Sequence, residues 1–165
     1  MINELENNIE YLENKIEKLS SNLATSFYKV IKILKRITET NDKFYESSHS
    51  LYVSEKSAQI ATELGMSVED IVEIKIAALL HDIGKINFPE VCIYKFPAEM
   101  SDFEYKKYTY HPILGKQFLT PYEYFDNIGE IIYQHHEKLD GSGFPRNLTR
   151  EQIHIGAKII AVVDY

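Results

Sequence analysis

Apolar residues at Ile2, Leu5, Ile9, Leu12, Ile16, Leu19, Leu23, Val30, Ile33 and Ile37 recur in alternating steps of three and four, with only Ser26 interrupting the series. That is the 3.5-residue period of a coiled-coil seam. Between these positions Glu4, Glu6, Glu10, Glu13, Lys15, Glu17 and Lys18 form a solvated outer face. The pattern predicts a long helix over residues 1–40. Its apolar stripe needs cover, from a second copy in a parallel dimer or from the chain's own domain if the helix folds back. The polar Ser26 loosens the seam locally, which fits a signalling linker and a plain imperfection equally well. Residues 38–50, TETNDKFYESSHS, end the periodicity with turn-forming residues, so a second domain is expected over 41–165.

In that domain HSLYVSEKSAQIATELG (49–65) reads as a helix stopped by Gly65. SVEDIVEIKIAALLHDIGK (67–85) opens on Ser67 with Asp70 three residues on, a variant capping box, and stays apolar through Leu79 and Leu80. His81 and Asp82 therefore end a buried helix. Pro89 and Pro97 make residues 86–100 an irregular connection. SDFEYKKYTYHPILGKQFL (101–119) predicts a helix capped by an aspartate, a break at His111-Pro112, and a second helix. NIGEIIYQHHE predicts a helix ending in His135 and His136, and DGSGFPRNL a loop, because two glycines and a proline cannot continue it. Thr149 and Gln152 read as the capping box of a last helix. No alternating strand pattern occurs, so the fold class is all-α.

Composition narrows the setting. The single cysteine, Cys92, cannot close an internal disulfide, and the chain is expected to be cytoplasmic with Cys92 an ordinary half-buried thiol. No apolar run reaches the roughly 20 residues of a membrane span, and Met1 does not open a signal peptide. With 18 Lys and Arg against 25 Asp and Glu the net charge is -7, which argues against DNA as a partner. An anionic ligand would need positive charge supplied locally, and a metal cation can do that.

Of the six histidines, His49, His81, His111, His135 and His136 each fall near a predicted helix end, and His81 is followed by Asp82. Adjacent helical side chains diverge by about 100°, so one of the His81-Asp82 pair can serve one cation while the other leans toward a second. His135 and His136 offer the same divergence. Imidazole mixed with carboxylate suits iron, manganese or zinc better than magnesium or calcium. Taken singly, each histidine is more often an ordinary surface or core residue; the series is what points to metal.

That series, in that order, resembles the HD superfamily of metal-dependent phosphohydrolases, in its HD-GYP branch, over residues 49–165 from HSLYVSEKSAQIATELG through AALLHDIGK, YHPILG and HHEKLDGSGFP to IGAKIIAVVD. The resemblance implies an HD-domain helical bundle preceded by the coiled-coil helix. It implies that His49, His81, Asp82 and Asp164 hold one divalent metal, and that Asp82 bridges to a second held by His111, His135 and His136. Iron or manganese come first, with zinc, nickel, cobalt and magnesium as further candidates. Two bridged cations about 3.5–4 Å apart clamp a phosphodiester and make water nucleophilic at neutral pH. Lys85 is placed toward the scissile phosphate, where its charge stabilises the non-bridging oxygens; its plain alternative is a lysine facing a helix C-terminus. Asp140, Gly141, Gly143, Phe144 and Pro145 stand where the family has its signature loop, with Phe144 keeping the shape of a tyrosine and losing its hydroxyl. That loop is either structural or a docking surface for a signalling partner. Glu137 belongs to the same signature and could orient a histidine ligand. His154 matches no ligand and is expected at the surface.

Two departures bear on function. Some relatives add a third metal with a glutamate four residues before the first histidine; here that position is Tyr45, with Glu46 displaced by one, so two metals are expected. Family members continue past Asp164 into an arginine-proline-tyrosine motif, so the domain reads as truncated at its C-terminal end and Asp164 is expected in a frayed last turn. The activity implied is hydrolysis of cyclic di-GMP to pGpG, GMP or both, with a related cyclic dinucleotide or another phosphoester compatible with the same centre. The alternative of a different class is a dimeric signalling or docking module that binds metal or cyclic dinucleotide with little or no turnover.

Overall fold

Helix α1 spans Ile2–Glu39 without a break, passing through the polar seam position Ser26, as a stretch free of glycine and proline can. In the single chain its stripe lies open: Leu5, Ile16 and Leu23 are 58%, 66% and 72% exposed. The computed structural model describes residues 2–39, 49–88 and 95–165. Residues 40–48 of the boundary expected at 38–50, with Tyr45 and Glu46, and Pro89 and Cys92, lie outside them. The chain divides into two units between Ile33 and Leu34.

The second unit contains α2 (His49–Glu63), α3 (Val68–Leu80), α4 (Asp102–Tyr108), α5 (His111–Leu119), α6 (Asp126–Gln134) and α7 (Ile155–Asp164). Short 3-10 turns lie at Ile83–Asn87, Pro97–Glu99, Glu123–Phe125 and Arg150–Gln152. Among the described residues there is no strand, only an isolated antiparallel bridge between Asp140 and Thr149. The described residues form an all-α helical fold that opens on a long N-terminal helix.

The helix ends are set by local chemistry. Gly65 takes φ +69° and closes α2, with its N–H and that of Met66 bonded back to Thr62 and Ala61. Ser67 caps α3 by accepting from the Asp70 N–H. The structure corrects three expected starts and breaks. α4 is capped by Ser101, not Asp102, because Glu104 three residues on completes a capping box. The break before α5 falls at Thr109–Tyr110, since Pro112 needs no N–H partner in a first turn and starts a helix rather than stopping one. Thr149 and Gln152 cap only a 3-10 turn; α7 starts later, on the Nδ1 of His154, which accepts from the Gly156 N–H.

α2 packs on α3, α3 on α6, α5 on α6, and α7 on α2 and α3. Ile74, Leu80, Ile128, Ile131, Ile132 and Ile160 fill the core, each adding about 1.5–3 kcal/mol by leaving water. Gly84 sets the approach that matters most for function: a methyl there would collide with the backbone carbonyl of His111 and lie 2.8 Å from the Gly115 nitrogen. Only glycine lets the turn after His81-Asp82 press directly on the start of α5.

Candidate metal centre

Five helix ends converge. His81 is the C-cap of α3, His111 opens α5, His135 is the C-cap of α6, and His49 opens α2 opposite Asp164 in the last turn of α7. One local device repeats in three of them. The Nδ1 of His81 donates to Ala78 at 2.8 Å, that of His111 to Tyr108 at 2.6 Å, and that of His135 to Ile132 at 2.6 Å. The last carbonyls of a helix lack intrahelical partners, so a histidine three residues later satisfies one of them. A carbonyl can only accept; each Nδ1 therefore carries the proton, and each Nε2 is turned inward, the atom such a ring would offer to a cation.

The inward nitrogens and carboxylates form two groups, one of His49, His81 and Asp164, the other of His111, His135 and His136. Asp82 lies between them: Oδ2 is 3.5 Å from His81 Nε2, and Oδ1 is 3.3 Å from His111 Nε2. Asp82 thus reaches both groups, one oxygen to each. The expected divergence of His135 and His136 does not occur. α6 ends at Gln134, so the pair lies beyond regular helix, and the two rings sit 4.0 Å apart in the same group.

The donor set fits cations. His111 Nε2 and His135 Nε2 face each other at 3.2 Å. Burial holds both histidines neutral, His135 down to about 4, with Lys85 further opposing charge on His111 and His81 further opposing it on His135. Two neutral imidazoles protonated at Nδ1 point lone pairs at each other, an arrangement that a cation between them stabilises. The buried Nε2 atoms of His81 and His136 make no hydrogen bond, although His81 Nε2 lies 3.3 Å from Asp164 Oδ1. Burial opposes charge on His81, but Asp82 and Asp164 outweigh it and raise its pKa to about 9; a cation taking that nitrogen must displace a proton. Burial also favours protonated Asp82 and Asp164. Lys85, His81 and His111 hold Asp82 well below the usual carboxylate range, and His49 and His81 do the same for Asp164.

Asp164 is not frayed. Its carboxylate is 18% exposed and accepts from His49 Nε2 at 2.8 Å, which pins the end of α7 to the start of α2. Lys85 Nζ donates to Asp82 Oδ2 at 2.7 Å and lies 5.5 Å from the centre of the Tyr108 ring. Its ammonium thus meets a carboxylate of the centre rather than helix carbonyls.

The signature loop packs on the second group. Phe144 stacks on His136, with centroids 4.8 Å apart at 33°, and meets the Tyr108 ring at 5.8 Å. Glu137 does not orient a histidine. Buried at 5% exposure, it turns the other way and accepts the backbone N–H groups of Arg146 at 2.6 Å and Leu148 at 2.9 Å, clamping the loop from beneath. Gly143 sits against the backbone of residues 136–138, where any side chain would collide. Asp140 also serves the loop: Oδ1 accepts from the Ser142 N–H and hydroxyl, and Gly141 takes φ +78°. The Phe144–Pro145 peptide is cis. His154 is half-buried as a helix cap rather than a plain surface residue.

Sequence reasoning missed Tyr108, whose carbonyl holds His111 and whose ring borders the site, and Gln134, whose amide bonds Glu130 and the His154 N–H. The histidine three residues past Tyr108 was a usable signal for the first. Nothing in the sequence marked the second.

Residues 9–165 match the HD domain family. A cyclic di-GMP phosphodiesterase from Thermotoga maritima is 34% identical over 155 residues, 93% of this chain and 42% of the relative. A cyclic di-GMP phosphodiesterase response regulator from Xanthomonas campestris is 37% identical over 68% of this chain and 30% of its own length. A 3'3'-cGAMP-specific phosphodiesterase from Vibrio cholerae is 34% identical over 70% and 27%. The chain thus spans less than half of each of these relatives. Among solved structures, an HDG"Y"P protein from Bdellovibrio bacteriovorus superposes with a TM-score of 0.63 at 28% identity, over 72% of this chain and 39% of that one.

Proposed function

The chain belongs to the HD domain family, and from that premise we propose that it is a metal-dependent phosphodiesterase that opens cyclic dinucleotides, cyclic di-GMP first among them, to pGpG, GMP or both. His49, His81 and Asp164 would hold one divalent cation, His111, His135 and His136 a second, with Asp82 bridging; iron and manganese suit the donors best. The observation that carries the reading is Asp82 with one oxygen toward each group. Cations held there would polarise the phosphodiester and make water nucleophilic at neutral pH.

The chain's own residues do the rest. The Nδ1–H bonds to Ala78, Tyr108 and Ile132 aim the Nε2 atoms of His81, His111 and His135 inward. Lys85, with its side chain 28% exposed and its ammonium on Asp82, would offer that charge to a non-bridging phosphate oxygen and stabilise the charge that develops there. Phe144 covers the outer face of His136 and keeps water from competing for it. The relatives' names support the substrate class.

Residues 1–40 we assign as a coiled-coil linker that pairs two copies, and 41–165 as the phosphohydrolase domain. The uncovered stripe from Leu5 to Leu23 supports pairing. No described helix is long and apolar enough to cross a membrane.

The test is metal analysis of anaerobically purified chain followed by incubation with cyclic di-GMP. About two metals per chain and accumulation of linear product are expected. Asp82→Ala should lose both metals together; loss of one alone would refute the bridge, and a metal-loaded chain without turnover would refute the activity.

A further inference from the structure

Tyr108 has a side chain that the metal centre does not need. Its carbonyl holds His111, and any residue would supply that carbonyl. Yet the phenol ring lies half-buried among the working parts: 5.4 Å from the His111 ring, 5.6 Å from His136, 5.8 Å from Phe144, and 5.5 Å from the Lys85 ammonium. One turn earlier on α4, Tyr105 continues the strip outward, 6.3 Å away at an interplanar angle of 32°, and is itself 45% exposed. Aromatic rings that serve only a core are closed off by neighbours. This pair begins at the ligands and runs out to solvent, beside the one ammonium in reach of Asp82 among the described residues.

A nucleotide carries its phosphate and its base a sugar apart, so a site that grips the phosphate leaves the base in need of a nearby surface. Lys85 and Tyr108 are spaced for that division of labour. Resting on the phosphodiesterase reading above, we propose that Tyr108, extended by Tyr105, is the nucleobase platform of the site: a purine of the substrate stacks on it while the phosphate meets Lys85 and the centre. Stacking uses the π-face that every base has, so it rewards the larger purine without reading the edge that separates guanine from adenine. The platform therefore sets a preference for purine over pyrimidine dinucleotides and admits cyclic di-GMP and 3'3'-cGAMP alike.

The test compares metal-loaded wild-type chain with Tyr108→Phe, Tyr108→Leu and Tyr105→Leu. Metal content is measured, together with equilibrium binding of hydrolysis-resistant phosphorothioate forms of cyclic di-GMP and cyclic di-UMP. Tyr108→Leu should weaken the purine compound about tenfold or more and the pyrimidine compound less than about threefold, while Tyr108→Phe stays within about twofold of wild type. Equal losses for both compounds, or none for either, overturn the platform. If Tyr108→Leu also sheds metal, Tyr105→Leu, which touches no ligand, decides: a purine-selective loss supports the platform and unchanged affinity overturns it. Turnover of cyclic di-GMP keeps the two readings apart. Purine-selective binding through Tyr108 without turnover sinks the phosphodiesterase and leaves the platform. Turnover that Tyr108→Leu leaves unchanged sinks the platform alone.

Discussion

The clamp beneath the signature loop can be tested by stability as well as activity. Glu137 accepts two backbone N–H groups, from Arg146 at 2.6 Å and Leu148 at 2.9 Å, with 5% of its own surface exposed. Hydrogen bonds to a charged acceptor contribute about 1.5–3 kcal/mol each, and most of the loss on removal is the cost of a stranded buried donor. The two donors do not weigh equally. Leu148 is 7% exposed, so its N–H is stranded outright, whereas Arg146 has half of its side chain in water and its N–H can find solvent after a small shift. Glu137→Ala should therefore cost about 2–4 kcal/mol rather than twice the charged-bond value. At about 2–4 °C per kcal/mol for a chain of this size, the melting midpoint should fall by about 4–16 °C. Glu137→Gln isolates the polar part, because it keeps the volume but offers an NH₂ to one of the two N–H donors. It should lose at least about half as much as the alanine variant. Thermal and urea unfolding by circular dichroism measure both. A glutamine variant as stable as wild type, or an alanine variant within about 1 °C of it, would refute the clamp.

Gly84→Ala should separate the His81-Asp82 turn from α5, because the added methyl meets the His111 carbonyl. Metal analysis should show fewer than two metals per chain with helicity by circular dichroism retained, and full metal loading would sink the idea. Burial lowers the pKa of His154 below its ordinary value; Glu73, Asp70 and Glu130 partly offset this and Lys158 adds to it. Below pH about 6.5 the unfolded chain then binds a proton that the folded chain resists, so this cap's stability is present above that pH and lost as pH falls. His154→Asn keeps an acceptor for the Gly156 N–H but does not titrate, and should show a shallower loss of melting temperature from pH 7.5 to 5.5; parallel profiles would show the cap does not titrate there. Deleting residues 1–38 should turn a dimer into a monomer by light scattering, and an unchanged mass would place the pairing elsewhere.

Much of this protein was legible in order along the chain. The three-four spacing from Ile2 to Ile37 specifies a helix because 3.5 residues per turn is a property of the backbone, whatever covers the stripe. Gly65 and Ser67 mark helix ends because φ > 0 and an N-cap acceptor are local demands. The histidine series pointed to metal through residue type alone. Local reasoning misplaced features where two caps compete or a helix has already ended. Ser101 prevailed over Asp102 because Glu104 completes its box, and the 100° divergence assumed for His135 and His136 fails once α6 stops at Gln134.

The remainder was decided by contacts between distant segments. Glu137 could be read as orienting a histidine until the fold brought Arg146 and Leu148 over its carboxylate, nine and eleven residues on. Asp164 looked like a loose end until α7 packed against α2 and set its carboxylate on His49, 115 residues away in sequence. Asp82 reaches both ligand groups because Gly84 lets its turn touch α5, and Tyr108 borders Lys85 because α4 ends at that junction. The sequence by itself determined the helices, the ends set by Gly65 and Ser67, and the residue types able to meet a cation, since these follow from backbone geometry and side-chain chemistry within a few residues. Which ligands share a cation, which carboxylate bridges, and which ring faces a substrate depend on distances between helices. Those distances are set by close packing of the whole core, which no local stretch of sequence contains.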